Sequence, residues 1–431
     1  MHKFKLHFSL NIFLKSICLL LFVVFSFSAH AAEKVYRTQI FDPSIKTLQI
    51  GRETEKYTSN IIELNGSETL TIKFDQLSHE SRAYSYRILH CNADWTASNL
   101  SSNEYIDGFT TASITDYTLS SSTTILYTHY WFSLPNNDIK LKISGNYVVV
   151  IYEDNQSEKP VAQVCFSVYE PKVTIQHAIR ANTDIELNGR FQQIDFDVTF
   201  NGIAIQNPQN ELKVLIRQNN RFDNEVFGIQ PDYIAGSKLS FKNNKLLIFE
   251  GGNEYHVFDF SSVYAAGRGV DQIKFVKPHY EVYLLKDEIQ NSKAYNHSYD
   301  ANGKFVINFQ ESMNNADTDA DYMYVNFTLP AKQPFLDGQI YIGGDFCYNI
   351  LSEKSKMNYD FNAGRYFYRT LLKQGGYNYQ YWFLQKNNSK ASVDRVEGSF
   401  WQTNNEYSIF VYYRPIGGRY DKFIGYKIFD K

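Results

Sequence analysis

Three groups able to do chemistry fall within five positions: His90, Cys91 and Asp94. Such a set suits a metal site, or a thiol nucleophile beside its imidazole base. The stretch YSYRILHC reads as a strand, however, with Tyr84, Tyr86, Ile88 and His90 on one face and Arg87 and Leu89 on the other. Neighbours on a strand point to opposite faces, so His90 and Cys91 cannot serve one site while the strand stays regular. Cys91 then reads as a core residue and Asp94 as a local backbone cap. His129 shares a strand face with Tyr127 and Trp131. It could pair with an acid in a groove, although a satisfied edge or core histidine explains the same letters more economically.

Other chemistry has less support. His177, His256, His279 and His297 stand singly, without HxH or HxxxH spacing. Asp195 and Asp197 share a strand face, but acid–base work would need a facing cleft and a raised pKa. The paired glycines, such as Gly251-Gly252 and Gly343-Gly344, lie between strands rather than ahead of a helix, which makes them turns and not phosphate cradles. No catalytic residues, no cofactor and no metal are therefore expected. Tyr377, Tyr379, Tyr381 and Phe383 alternate onto one face and leave Trp382 on the other. Whichever row is exposed, with Trp401, would suit stacking on a sugar, so a carbohydrate-binding or accessory protein of a glycan-processing system is the alternative reading.

The elements that must position these groups are strands. With 33 Tyr, 33 Phe and only 10 Pro, and with apolar and polar residues alternating nearly throughout, the composition is that of an all-β chain. Ile61–Leu64, the Asn65-Gly66 turn and Leu70–Phe74 read as a hairpin. Residues 92–109 form a polar connection pinned by Trp95, Leu100, Tyr105 and Phe109, a loop folded onto its domain by its own side chains. Strands at 128–134, 147–152 and 161–168 follow, the last two paired. At least seven strands within about 135 residues match an immunoglobulin-like sandwich.

Glu170-Pro171 marks the next boundary. Residues 172–187 read as a strand pair, and 212–217 as a strand answered by 239–241. The second unit could end near Asp287 or run on through 305–309, which would then pair with 322–329 across the polar segment 312–321, a hairpin loop or linker. The last hundred residues, with Gln339–Ile342 ahead of Gly343-Gly344, have the look of an early-set sandwich. The division is thus 32–170, 171–320 and 321–431, three tandem immunoglobulin-like or early-set β-sandwiches.

Ahead of them, Lys3, Lys5 and Lys15, the apolar run Ile17–Phe27 and Ala29-His30-Ala31 form a secretory signal over residues 1–31, cut before Ala32. Its removal leaves 40 basic against 46 acidic residues, a balance unsuited to a nucleic-acid groove. Three cysteines then remain, Cys91, Cys165 and Cys347, enough for one disulfide at most.

The run His90-Cys91-Asn92-Ala93-Asp94-Trp95, then Glu104-Tyr105-Ile106-Asp107-Gly108-Phe109, Tyr127-Thr128-His129-Tyr130, Leu134-Pro135-Asn136 and Ser144-Gly145-Asn146-Tyr147, resembles the plug-protein family of the Bacteroidota type IX secretion system. The likeness returns in Tyr412-Tyr413-Arg414-Pro415 and Gly418-Arg419-Tyr420-Asp421. It implies a periplasmic, non-enzymatic protein that docks on and closes the periplasmic mouth of a large outer-membrane translocon barrel, with no small-molecule substrate. The Trp95–Phe109 loop is the expected contact, and His90, Cys91, Asn92, Asp94 and His129 are the accompanying motif residues.

Overall fold

The computed structural model describes residues 34–431 apart from 53–56, 58, 201, 204 and 312–314, so the expected signal segment 1–31 and part of the 312–321 loop lie outside the described residues. Alternation along the strands builds seven sheets, most of them face to face in pairs. In the first sandwich Tyr84–Cys91 pairs with Gly145–Glu153, which pairs with Pro160–Tyr169. The facing sheet runs Ile45–Gly51, Leu70–Gln76, Thr128–Leu134, Asp116–Leu119. Phe74 stacks on Tyr130 at 5.2 Å and Tyr86 on Phe132 at 4.2 Å between them. On the outer face of the first sheet Cys91, Trp95, Val148, Val150 and Cys165 form a second cluster. Gly145–Glu153 is accordingly apolar on both faces, as a doubly covered strand must be.

The expected hairpin at 61–74 does not form. Ile61–Glu63 runs parallel to Ser167–Tyr169, whereas Leu70–Gln76 lies in the other sheet. Asn65, with φ 62°, does turn the chain. Its turn is a corner between sheets, and turn chemistry alone does not say which sheet receives the next strand.

The second sandwich sets Val173–Arg180, Phe191–Phe200, Lys238–Phe241 and Tyr233–Ala235, with Ile248–Glu250, against a sheet of Val226–Phe227, Leu212–Gln218, Glu406–Tyr413 and Lys422–Asp430. Three expectations are corrected here. Residues 172–187 hold one long strand whose partner is Phe191–Phe200. Leu212–Gln218 pairs with Glu406–Tyr413 and not with 239–241. The chain end therefore completes the second sandwich, and the sequential cut at 320 does not describe the sheets. Phe196, Val198, Ile216, Ile409 and Val411 share one core because their rows face each other across it.

A third sandwich is inserted between these halves. Its sheets are His256–Asp259, Gly375–Gln385, Phe305–Ile307 and Gly338–Gly343 on one side, and Val270–Val276, His279–Leu284, Tyr322–Pro330, Arg365–Lys373 and Asn358–Asp360 on the other. Phe305–Ile307 pairs with Gly375–Tyr377 rather than with 322–329. Phe258, Phe327, Tyr377 and Tyr379 pack its centre. The described part of the 312–321 segment is no free linker: it holds a short helix, Ala316–Asp319, and Tyr127 of the first sandwich donates its hydroxyl to the Ala320 carbonyl at 2.8 Å.

Candidate functional site

Past Cys91 the strand turns at once. Trp95 N–H reaches the Asn92 carbonyl at 3.0 Å, Trp95 takes φ 66°, and Asn92 N–H returns to the Thr96 carbonyl at 2.8 Å. The exposed Asp94 carboxylate accepts from both the Thr96 N–H and hydroxyl, at 3.0 and 2.7 Å, the local cap its position implies. A short helix, Ser102–Tyr105, begins with a capping box in which Glu104 receives the Ser101 N–H at 2.9 Å. Tyr105 is buried, its hydroxyl on the Ile88 carbonyl at 3.3 Å. Ile106–Gly108 then pairs with Ile139–Leu141. A Cβ on Gly108 would stand 1.9 Å from the Asp138 carbonyl oxygen, at φ 109°, so only glycine fits. Asp107 is exposed, and Phe109, expected as a pin, is 65% exposed and pins nothing.

The two motif stretches, more than 300 positions apart, meet. Asp421 is wholly buried and takes Arg414 Nε at 2.8 Å, Lys213 Nζ at 3.0 Å and the Ala93 N–H at 3.0 Å. Arg414 Nη2 donates to Asn92 Oδ1 at 2.6 Å. Tyr412 donates its hydroxyl to Asn146 Oδ1 at 3.0 Å, and Asn146 Nδ2 holds the Asn92 carbonyl at 3.0 Å. His90 packs edge-on to Tyr147 and Tyr420 and donates Nε2–H to the Ser144 carbonyl at 3.2 Å. Burial pushes its pKa down to about 4, which leaves it neutral at pH 7.

Cys91 lies on the opposite face, where burial pushes its thiol well up, as it pushes Cys165 to about 12. These two are free thiols: Cys91 pairs across from Asn146 and Cys165 from Val148, on either side of one strand. Two interstrand spacings of about 4.8 Å exceed the reach of a disulfide.

A family model for the type IX secretion system plug protein, first domain, matches residues 45–170, the span of the first sandwich. No curated protein matches. A solved structure of a hypothetical protein from Parabacteroides merdae is 40% identical, covers 93% of this chain and all of its own, and superposes with a TM-score of 0.91. The chain belongs to the type IX secretion system plug protein family. Within this chain the letters at 90–93, 105, 144–147, 412–414 and 420–421 build a joint between the first and second sandwiches, while Asp94 and the tip of the turn at 415–419 are exposed at its edge.

His129 belongs to a second joint. Its Nδ1 meets Asp75 Oδ1 at 2.6 Å, while Asp75 Oδ2 receives Lys373 Nζ at 2.6 Å and the Tyr322 hydroxyl at 2.7 Å. Burial alone would raise the Asp75 pKa, but the Lys373 ammonium and the His129 hydrogen bond hold it below the usual carboxylate range. This network ties the first sandwich to the third.

The sugar-stacking rows have no open surface. Tyr377, Tyr379, Tyr381 and Phe383 are core, and Trp382 on the other face is 1% exposed, beneath Arg221 at 4.3 Å. Trp401 is half-buried with Lys431 Nζ 4.4 Å from its ring.

Sequence reasoning missed a third charged group. His256 lies between Asp287, 3.1 Å from Nδ1, and Glu397, 3.0 Å from Nε2. Burial would lower its pKa, but the two carboxylates outweigh burial and raise it well above the ordinary value. With both nitrogens engaged, the ring has no lone pair to offer a substrate. Singletons so far apart leave no spacing signal, and among the described residues no set of His, Cys, Asp or Glu is arranged for a metal. Ile416, 79% exposed, was also missed. It tops a turn closed by Gly418 N–H to the Pro415 carbonyl at 2.8 Å with Gly417 at φ 80°, beside the Arg419–Glu104 ion pair.

Proposed function

We propose that this plug protein works in the periplasm, delivered by a cleaved signal segment, and binds and closes the periplasmic end of the type IX outer-membrane translocon barrel without catalysing a reaction. Family membership supports the assignment to that secretion system. The observation that carries the closing role is the pair of polar joints between sandwiches. Asp421 with the Ala93 N–H and Arg414 with Asn92 Oδ1 tie the second sandwich to the first, Asp75 with Lys373 and the Tyr322 hydroxyl ties the first to the third, and sliding one past another would leave the buried Asp75 and Lys373 charges unpaired. A preformed body loses little freedom on docking, which is what a stopper for a wide opening requires. The contact surface then falls on exposed residues beside the first joint, with Phe109 and Ile416 as apolar anchors and Asp107 and Gly108 between strand and tip.

Affinity purification of the tagged chain from detergent-solubilised envelopes, with mass identification of what accompanies it, tests the reading. Recovery of a very large outer-membrane barrel in near-equal amount is expected. Bait alone, under conditions that keep other envelope complexes intact, would remove the translocon as partner.

A further inference from the structure

The three sandwiches meet around a cleft of about 450 Å³ that shares Trp95, Arg217, Asn220 and Lys304 with an adjoining one of about 240 Å³. Trp95 is 5% exposed, lines both, and its indole N–H has no acceptor among the described residues. A buried donor left unmade is costly, so its place on a cleft wall points to an acceptor brought from outside. Beside it stand two guanidinium groups. Arg217, 6% exposed, has Nε on Glu225 at 2.5 Å. The guanidinium carbons of Arg217 and Arg37 stand 4.3 and 4.6 Å from the centroid of the same Phe222 ring, which lines the cleft. Arg37 makes one side-chain hydrogen bond, to the Tyr36 carbonyl at 2.9 Å. The Glu225 and Asp94 carboxylates both offset the Arg37 charge, while Arg217 repels it. The other lining cations are matched: Lys73 by Asp317 at 2.7 Å, Lys304 by Glu406 at 2.5 Å and Arg52 by Glu68 at 3.2 Å.

We infer that this wall binds an oxyanion, a carboxylate or a phosphate, through the guanidinium group of Arg217 and the indole N–H of Trp95, with Arg37 adding its charge from beside Phe222. Guanidinium forks match the planar or tetrahedral oxygens of such groups and form the stronger, charge-assisted hydrogen bonds. Burial and the charge of Arg217 already press the Arg37 pKa down, a repulsion that a bound anion relieves. Asp345 lines the same cleft, tied to Asn349 Nδ2 at 2.6 Å, and disfavours an anion on its own side, which confines the charge to the arginine wall. Nothing here depends on the translocon, so the site stands or falls separately from the plug reading.

Calorimetric titration of the full chain decides it, with inorganic phosphate in one arm and N-acetyl-alanyl-alanine in the other, each beside the peptide's C-terminal amide. Saturable binding of phosphate alone assigns a free phosphate ligand. Binding of the free-acid peptide but not its amide assigns a chain terminus. Arg37→Gln should weaken binding several-fold with unchanged thermal unfolding, and Trp95→Phe, which keeps an aromatic ring but lacks the N–H, should weaken it about tenfold at a temperature where the chain, destabilised by the smaller ring, is still fully folded. Arg217→Lys, which keeps the charge and loses the fork, should weaken it too. No saturable heat tighter than about 1 mM for either oxyanion, or equal affinity in wild type and all three variants, would overturn the proposal.

Discussion

Asp75 of the first sandwich and Lys373 of the third form an ion pair at 2.6 Å in which each side chain is 1% exposed. Neither charge has water to fall back on, so the two are stable only together. Lys373→Met is expected to cost about 3–5 kcal/mol, because it leaves the buried Asp75 carboxylate with only His129 and the Tyr322 hydroxyl. The double variant Asp75→Asn/Lys373→Met should recover a substantial part of that loss. Urea unfolding of both measures it, and equal costs for single and double variants would show that the charges act independently.

Asp421 makes the corresponding claim for the joint with the second sandwich. Asp421→Ala leaves Arg414, Lys213 and the Ala93 N–H without their shared acceptor. Arg414 and Lys213 keep access to water, so destabilisation on the order of 1–3 kcal/mol is expected, with new proteolytic cutting between the strands that end at Tyr169 and begin at Val173. Wild-type resistance at that connection in the variant would mean that the apolar contacts of Phe423 and Tyr412 hold the joint without the ions.

The motif letters were legible from the sequence and their role was not. Alternation placed His90 and Cys91 on opposite faces correctly, and it paired 147–152 with 161–168. Those are local facts, set by the period of a strand. That Leu212–Gln218 waits for Glu406–Tyr413 is not local, since an apolar row fits any apolar row across from it. The insertion of the third sandwich, the Asp421 joint and the His256 cluster escaped for the same reason: their partners meet only when distant strands close. Phe109 misled in another way, because an aromatic in a polar loop reads alike whether it anchors the loop or faces outward.

His256 gives the chain a pH signature on the alkaline side. Its folded pKa is raised well above the ordinary value of 6.5, so its pairs with Asp287 and Glu397 contribute fully below that value. The contribution falls as pH rises through the folded pKa. Unfolding free energies measured from pH 6 upward should therefore decline more steeply in wild type than in His256→Gln. Parallel curves would mean that the imidazole is no more protonated in the folded chain than in the unfolded one.

Phe109 and Trp95 stand at the two ends of the loop expected to touch the translocon, and they separate its two roles. Trp95 fills the cluster of Cys91, Val148, Val150 and Cys165, so removing the whole loop would open the first sandwich and could not test contact alone. Trp95→Ala is expected to destabilise by about 3–5 kcal/mol. Phe109, at 65% exposure, touches little, and Phe109→Ala should stay within about 0.5 kcal/mol of wild type, as should Ile416→Ser on its outward turn. If these side chains seat in the barrel, the Phe109→Ala/Ile416→Ser chain, fully folded by thermal melt, should recover markedly less barrel from solubilised envelopes than wild type does. Equal recovery would move the contact away from this edge of the first joint and leave the rigid body without its proposed anchors.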